Sequence, residues 1–247
     1  MDDLLLFRNR MNELSARSDN KCIYTYSDFL TAAQQSELVK MKLYVHSELY
    51  GGYDNAERCI AVFGDASDLG YPSAPPVSFI SIVPLQMKFA DNLTHRDFLG
   101  SLMGLGIRRE MLGDIIIKDN CAYIICIDSV ADYIIENLDK VKHTSVKCTL
   151  CEELPDAALP ELTYKELIIS SERLDVVISA VYNLSRNESK AKIEAELVFC
   201  NSVLQTNTSY PLQSGTVVSV RGHGRFIYDG VLRTTKKDRN VVAVRIY

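Results

Sequence analysis

The sequence has no apolar stretch long enough to cross a membrane. The run Leu4-Leu5-Leu6-Phe7 is interrupted by Arg8 and Arg10, far short of the roughly 20 residues a bilayer requires. Its start, Met1-Asp2-Asp3, is acidic where a secretory leader is basic. Neither a GxxxxGK-Ser/Thr phosphate loop nor a GxSxG nucleophile elbow occurs. Gly104-Leu105-Gly106 closes a helical stretch instead of following a strand, so it forms no dinucleotide loop. The four histidines, His46, His95, His143 and His223, are scattered and outline no metal cluster. The seven cysteines are odd in number and lack framework spacing, as expected of reduced thiols. Cys148-Thr149-Leu150-Cys151 is a CxxC, but zinc requires about four ligands, and Cys121 and Cys126 have the wrong spacing for a second pair. Repeats and low-complexity tracts are lacking too. These absences lead to the expectation of a soluble, cytoplasmic protein with no membrane partner, no cofactor, no metal and no catalytic residue.

What is present is an ordinary globular composition, 47% hydrophobic and 24% charged, able to bury a core without disulfides or metal. The net charge of −5 hides an asymmetry. Residues 160–247 hold twelve Lys/Arg against nine Asp/Glu, a net of +3, whereas residues 1–159 hold fifteen against twenty-three, a net of −8. A basic module on an acidic body suits a chain of which one part touches phosphate.

Three regions are expected. Residues 1–73 read as a mostly helical N-terminal α/β region. Ser27 is a candidate cap for a helix carrying Phe29, Leu30, Ala33, Leu38 and Met41, and 58–63 reads as a buried strand. The proline-rich stretch 70–76 forms a turn or linker. Residues 74–157 give the order βαββαβ: strands near 77–83, 114–118, 122–127 and 145–150, with helices from Thr94 to about Leu105 and from Asp128 to about Lys140. That is the split βαβ pattern of ferredoxin-like domains. Its third strand, Ala122-Tyr123-Ile124-Ile125-Cys126-Ile127, has one aromatic and no flanking basic residue, unlike a base-stacking RNA-recognition motif. Pro155 and Pro160 bracket a second linker, and 160–247 completes an α+β chain with two helices and a small sheet.

In this last region Ser170 or Ser171 is a candidate cap for a helix with Leu174, Val177, Ile178 and Val181 on one stripe. Ser185-Arg186-Asn187-Glu188 is a capping-box sequence opening the next helix. Arg186 and Lys190 are four apart and share a helix face. Beside a helix N-terminus they form a phosphate-sized site, which Arg173 is positioned to join. Lys192 either adds to that face or pairs with Glu188. Arg221-Gly222-His223-Gly224-Arg225 is either an ordinary hairpin turn or a close-approach site for a ligand.

The residue types and their order resemble an S4 (αL-type) RNA-binding domain: Arg173-Leu174-Asp175, then Leu184-Ser185-Arg186, then the basic glycine turn at 221–225. Glu196 departs from that pattern, standing about where it carries glycine. Residues 93–110, Leu93-Thr94-His95-Arg96-Asp97-Phe98-Leu99-Gly100-Ser101-Leu102-Met103-Gly104-Leu105-Gly106-Ile107-Arg108-Arg109-Glu110, resemble the signature of bacterial YlmH-type S4 proteins over the whole chain. On the residues themselves, Gly100 and Gly104 suggest close packing on a sheet. His95, Arg96, Arg108 and Arg109 are either a second RNA contact or the solvated basic ends of a packed helix.

The resemblance implies a non-enzymatic RNA-binding protein associated with ribosomes. Its partners would be rRNA of the large ribosomal subunit and peptidyl-tRNA, its setting the rescue of stalled translation (ribosome-associated quality control), and no DNA partner is expected. The RNA-binding residues would be Arg173, Ser185, Arg186, Lys190, Lys192, Arg221, His223 and Arg225. Two other readings stand beside it: an RNA-modifying enzyme using the S4 domain for delivery, and a protein-interaction adaptor.

Overall fold

The computed structural model describes residues 3–155, 158–159 and 161–247, without the side chain of Phe89. The first two residues of the acidic start, and Asp156, Ala157 and Pro160 of the expected linker, lie outside the described residues. The chain forms two compact units, Met1–Leu159 and Pro160–Tyr247.

The first unit opens with helix α1 (Asp3–Lys21), strand β1 (Thr25–Tyr26), helix α2 (Ala32–Val39), strands β2 (Ser47–Tyr50) and β3 (Ile60–Phe63) and a single helical turn, α3 (Ala66–Leu69). The three strands form an antiparallel sheet in the order β1-β3-β2, so the region carries more sheet than its sequence suggests. Met11 and Leu14 of α1 pack with Leu38, Ala61 and Phe63. Thr31, not Ser27, caps α2, in a capping box with Gln34. Ser27 is taken by β3, its hydroxyl accepting from the Ala61 N–H at 2.8 Å, and Leu30 runs extended beside Cys59.

Next come β4 (Val77–Pro84), α4 (His95–Gly104), β5 (Leu112–Lys118), β6 (Cys121–Ile127), α5 (Asp128–Asn137), β7 (Lys140–Val141) and β8 (Thr144–Cys151). Their sheet has the order β5-β6-β4-β8-β7, antiparallel throughout. Strand β6 lies between β4 and β5, which is the split βαβ arrangement of a ferredoxin-like fold. Helices α4 and α5 bury Phe98, Leu102, Ala131 and Ile134 on one face, against Ile80, Ile82 and Ile124. The opposite face is apolar as well, and Phe79 and Ile125 pack against Phe29, Ile60 and Val62. A sheet apolar on both faces has to be covered twice. Residues 1–73 supply that second cover, so they share one unit with the middle strands.

Glycine usage follows this packing. Gly113 on β5 lies under Phe29, where an added Cβ would come within 2.8 Å of the ring. Gly100 and Gly104, expected to allow close packing, have nothing within 4 Å and lie on the solvent side of α4.

The second unit contains β9 (Thr163–Ile169), α6 (Leu174–Tyr182), α7 (Arg186–Glu194), β10 (Val198–Cys200), β11 (Val203–Leu204), β12 (Thr216–Val220), β13 (Gly224–Thr234) and β14 (Asn240–Ile246). They make a six-stranded sheet ordered β11-β10-β12-β13-β14-β9. Strand β9, which the sequence pattern did not suggest, closes the edge by pairing with β14 over seven residues. Strand alternation puts Val198, Val218, Val220, Phe226, Tyr228, Val242 and Val244 on one side, in a core with Leu174, Val177, Ile178 and Ile193 of the helices. The cap of α6 is Arg173, in extended conformation and without a side-chain cap bond. Ser170 and Ser171, the expected caps, precede it.

Candidate nucleic-acid interface

Helix α6 ends at Asn183, whose left-handed backbone (φ 53°) turns the chain into α7. Asparagine tolerates that conformation better than most residues. The Leu184 N–H bonds to the Ser179 carbonyl at 3.0 Å and fixes the corner. Ser185 then caps α7: its hydroxyl accepts from the Glu188 N–H at 3.2 Å, and its own N–H donates to the Glu188 carboxylate at 2.7 Å. These bonds from Ser185 hold the Glu188 carboxyl below the usual carboxylate range, with Lys192 and His223 adding to the effect. Both halves of Glu188 are thus committed to the cap, and its bland pairing with Lys192 is not the geometry found.

Arg186 is exposed, and Lys190 and Lys192 are half-exposed. Among the described residues none of the three has a carboxylate within ion-pair distance. Arg186 and Lys190 stand one turn apart, at the end of the helix where free amides attract anions. That end faces the turn between β12 and β13. His223 packs its ring 5.3 Å from that of Tyr182, which makes an edge contact with Phe226 at 5.9 Å. Burial pushes the Tyr182 phenol up to about 12, so the ring serves as a neutral support for His223. Sequence reasoning passed over Tyr182. Its signal was an aromatic residue at the last helical position, one step off the apolar stripe.

Arg173 does not join this end. It stands at the start of a nine-residue helix, about 13 Å along the axis from its far end. Its guanidinium forms two 3.0 Å bonds to Asp175, which is fully buried. A buried carboxylate needs such a partner, so Arg-Leu-Asp is a structural pair here. Arg221 and Arg225 also leave the group. Alternation along β13 sends Arg225 to the side opposite Phe226, where its guanidinium lies 4.3 Å from the Tyr247 ring centroid. Arg221 lies over Phe199 at 5.2 Å. The turn therefore divides its residues, with His223 toward the helices and both arginines toward the other face.

The candidate second contact in the first unit separates in the same way. Thr94 caps α4, its N–H and hydroxyl both donating to Asp97 at 2.8 and 2.6 Å. Arg109 is spent on the backbone, donating to the carbonyls of Leu112 (2.6 Å) and Gly113 (3.1 Å). Arg108 lies 3.8 Å from Asp28. Partial burial of its ring and the nearby Arg109 lower the His95 pKa. Arg96 is exposed at the first turn. The four do not converge, and Arg109 acts as a brace.

Cys148 and Cys151 face opposite sides of β8, one in the core under the helices and the other beside Phe79 and Ile125. They cannot share a metal. Burial pushes the Cys148 thiol up to about 11. Among the described residues no group of three or more His, Cys, Asp or Glu is placed to hold a metal ion, and no helix is long and apolar enough to cross a membrane.

The fold defines a class: an α+β protein in which a two-helix-and-sheet module follows a ferredoxin-like domain. Residues 78–153 match the family model described as "Putative RNA-binding domain in YlmH". Over 196 residues the chain is 29% identical to "Ribosome-associated protein quality control protein P2" of Bacillus subtilis (strain 168), covering 76% of this chain and 73% of that protein. It is also similar to the solved structure "Cell division protein ylmH from Streptococcus pneumoniae", at 20% identity and a TM-score of 0.48, over 61% of this chain and 92% of that one. The chain is thus similar to YlmH-type proteins in its middle domain and, over most of its length, to the Bacillus protein.

Proposed function

We propose that this chain grips structured RNA, without catalysing a reaction on it, through the start of α7. The observation that carries the reading is the pair Arg186 and Lys190 on one helix face, next to a capped N-terminus and with no carboxylate partner among the described residues. Arginine offers a planar fork to phosphate oxygens, and lysine a mobile point charge. His223 and the Ser185 cap lie beside the same helix start. A surface of this kind reads RNA shape and backbone more than sequence.

The match of the middle domain to an RNA-binding family model supports RNA as the ligand. The printed name of the Bacillus relative supports a ribosomal setting. Within it we assign the RNA to rRNA of the large subunit together with tRNA, and the occasion to the rescue of stalled translation.

Sedimentation with purified ribosomal subunits tests this. The intact chain should pellet with the large subunit. The double variant Arg186→Glu/Lys190→Glu, folded as judged by circular dichroism, should stay in the supernatant. Equal pelleting of the two chains, or no pelleting of the intact one, would overturn the reading.

A further inference from the structure

Both helices of the second unit bury their apolar residues on one side of its sheet. The other side carries a different set, brought into register by strand pairing. Phe199, Ser219 and Arg225 lie side by side across β10, β12 and β13, and the Tyr247 N–H bonds to the Arg225 carbonyl at 3.1 Å to extend that row. The next row is Val217, Ile227, Arg245 and Tyr164. Arg221 covers Phe199 and Arg225 covers Tyr247. Arg245 is clamped by two bonds to Asp229 at 2.8 and 2.7 Å, and Arg233 pairs with Glu166 at 2.7 Å. Arg221, exposed and over a ring, has no carboxylate within ion-pair distance among the described residues. The positive charge continues past the end of β13 into exposed Lys236, Lys237 and Arg239, against Asp238.

We propose that this sheet face is a second RNA site, taking a single-stranded segment whose bases stack on Tyr164 while Arg221 and the basic residues after β13 follow the phosphates. The proposal rests on the reading of the chain as RNA-binding and assigns a second, chemically distinct surface to it. Single-stranded sites combine a positive track with aromatic platforms, because every base has a π-face and flexible phosphates need no preformed groove. Tyr164 supplies the open platform at 56% exposure. Arg221, exposed, already lies against a ring, the orientation that leaves the edge of a guanidinium to a phosphate. A duplex keeps its bases stacked on one another and offers nothing to the Tyr164 ring.

The chain contains no tryptophan, so Tyr164→Trp installs a reporter unique to this face. In the full chain, single-stranded oligoadenylate of about ten nucleotides, within the usual site size, should quench its emission. An RNA duplex with the same number of phosphates should not. Tyr164→Ala should bind the oligoadenylate about tenfold more weakly, the cost of one lost stack. Tyr164→Phe should restore binding, and neither change should alter affinity for an RNA hairpin. Arg186→Gln/Lys190→Gln should do the reverse, losing the hairpin and keeping the quench. Unchanged emission on saturation, or equal oligoadenylate affinity in Tyr164→Ala, would overturn the proposal. Loss of the quench in the α7 variant would overturn it too, by placing the single strand on the helix face. A hairpin affinity that ignores the α7 changes while the quench persists would instead sink the α7 reading and leave this one standing.

Discussion

Single residues carry several consequences that no longer-range pattern reveals. Glu196 has a left-handed backbone, φ 59°, immediately after the α7 cap residue Ala195. Its N–H bonds to the Ile193 carbonyl and that of Leu197 to Lys192, both at 3.1 Å. This is the Schellman pattern, in which that position favours glycine. The sequence comparison with S4 domains marked the same residue as a departure, and the structure supplies the physical reason. A left-handed side chain costs about 1–2 kcal/mol, more than the roughly 0.5–1 kcal/mol of extra chain entropy that glycine brings. Glu196→Gly should therefore raise stability by about 0.5–1 kcal/mol in urea denaturation; a loss would contradict the strain argument. Asp97 makes a pH-dependent contribution. Bonds from Thr94, and then Lys142, hold its carboxyl at about 2 against an ordinary 3.8. A depressed folded-state pKa stabilises above the unfolded value and loses that contribution as pH falls through the folded one. Asp97→Asn should accordingly be less stable than the parent at neutral pH. The gap should close between pH 3.8 and about 2, as read from denaturation midpoints across that range.

At the scale of elements, legibility depended on whether a local signal had a competitor. The Ser185 capping box was readable because Glu188 stands at the required third position and nothing else claims it. Ser27 looked equally suited to cap but is taken by β3, a partner 34 residues away. Strand β9 was missed because an edge strand exposed along most of its length shows no clean alternation. Its hydrophobic Tyr164 and Ile168 face outward at 56% and 62% exposure. Glycines in the middle domain misled in a related way. Sequence placed the tight approach on α4, whereas it occurs at Gly113 beneath Phe29. Gly113→Ala should overpack that contact and cost about 1–3 kcal/mol, while Gly100→Ala, with open space around it, should gain up to about 1 kcal/mol from helix propensity. Thermal melts of the two variants moving in opposite directions would bear this out; a neutral Gly113→Ala would contradict the packing.

For the molecule as a whole, the charge split between its two halves singled out residues 160–247 but not where their arginines point. Three of the seven arginines in residues 160–247 are paired with Asp175, Glu166 and Asp229. Arg221 and Arg225 lie against aromatic rings on the sheet face, away from the helices. Sequence spacing captured Arg186 and Lys190 because four residues on a helix is a local distance. The resemblance grouped Arg173, Arg221 and Arg225 with them, and nothing local says that Asp175 holds the first or which side of a sheet the other two occupy. What remains at α7 is the pair Arg186 and Lys190, the proposed phosphate site, whose central property is electrostatic. The most direct test is the affinity of the full chain for an RNA hairpin as a function of salt. Each phosphate contact adds about 0.7–0.9 to the steepness of log affinity against log salt. Arg186→Gln/Lys190→Gln should therefore flatten that slope by about 1.4–1.8, together with a loss of affinity at low salt. A slope unchanged by the two substitutions would contradict the account.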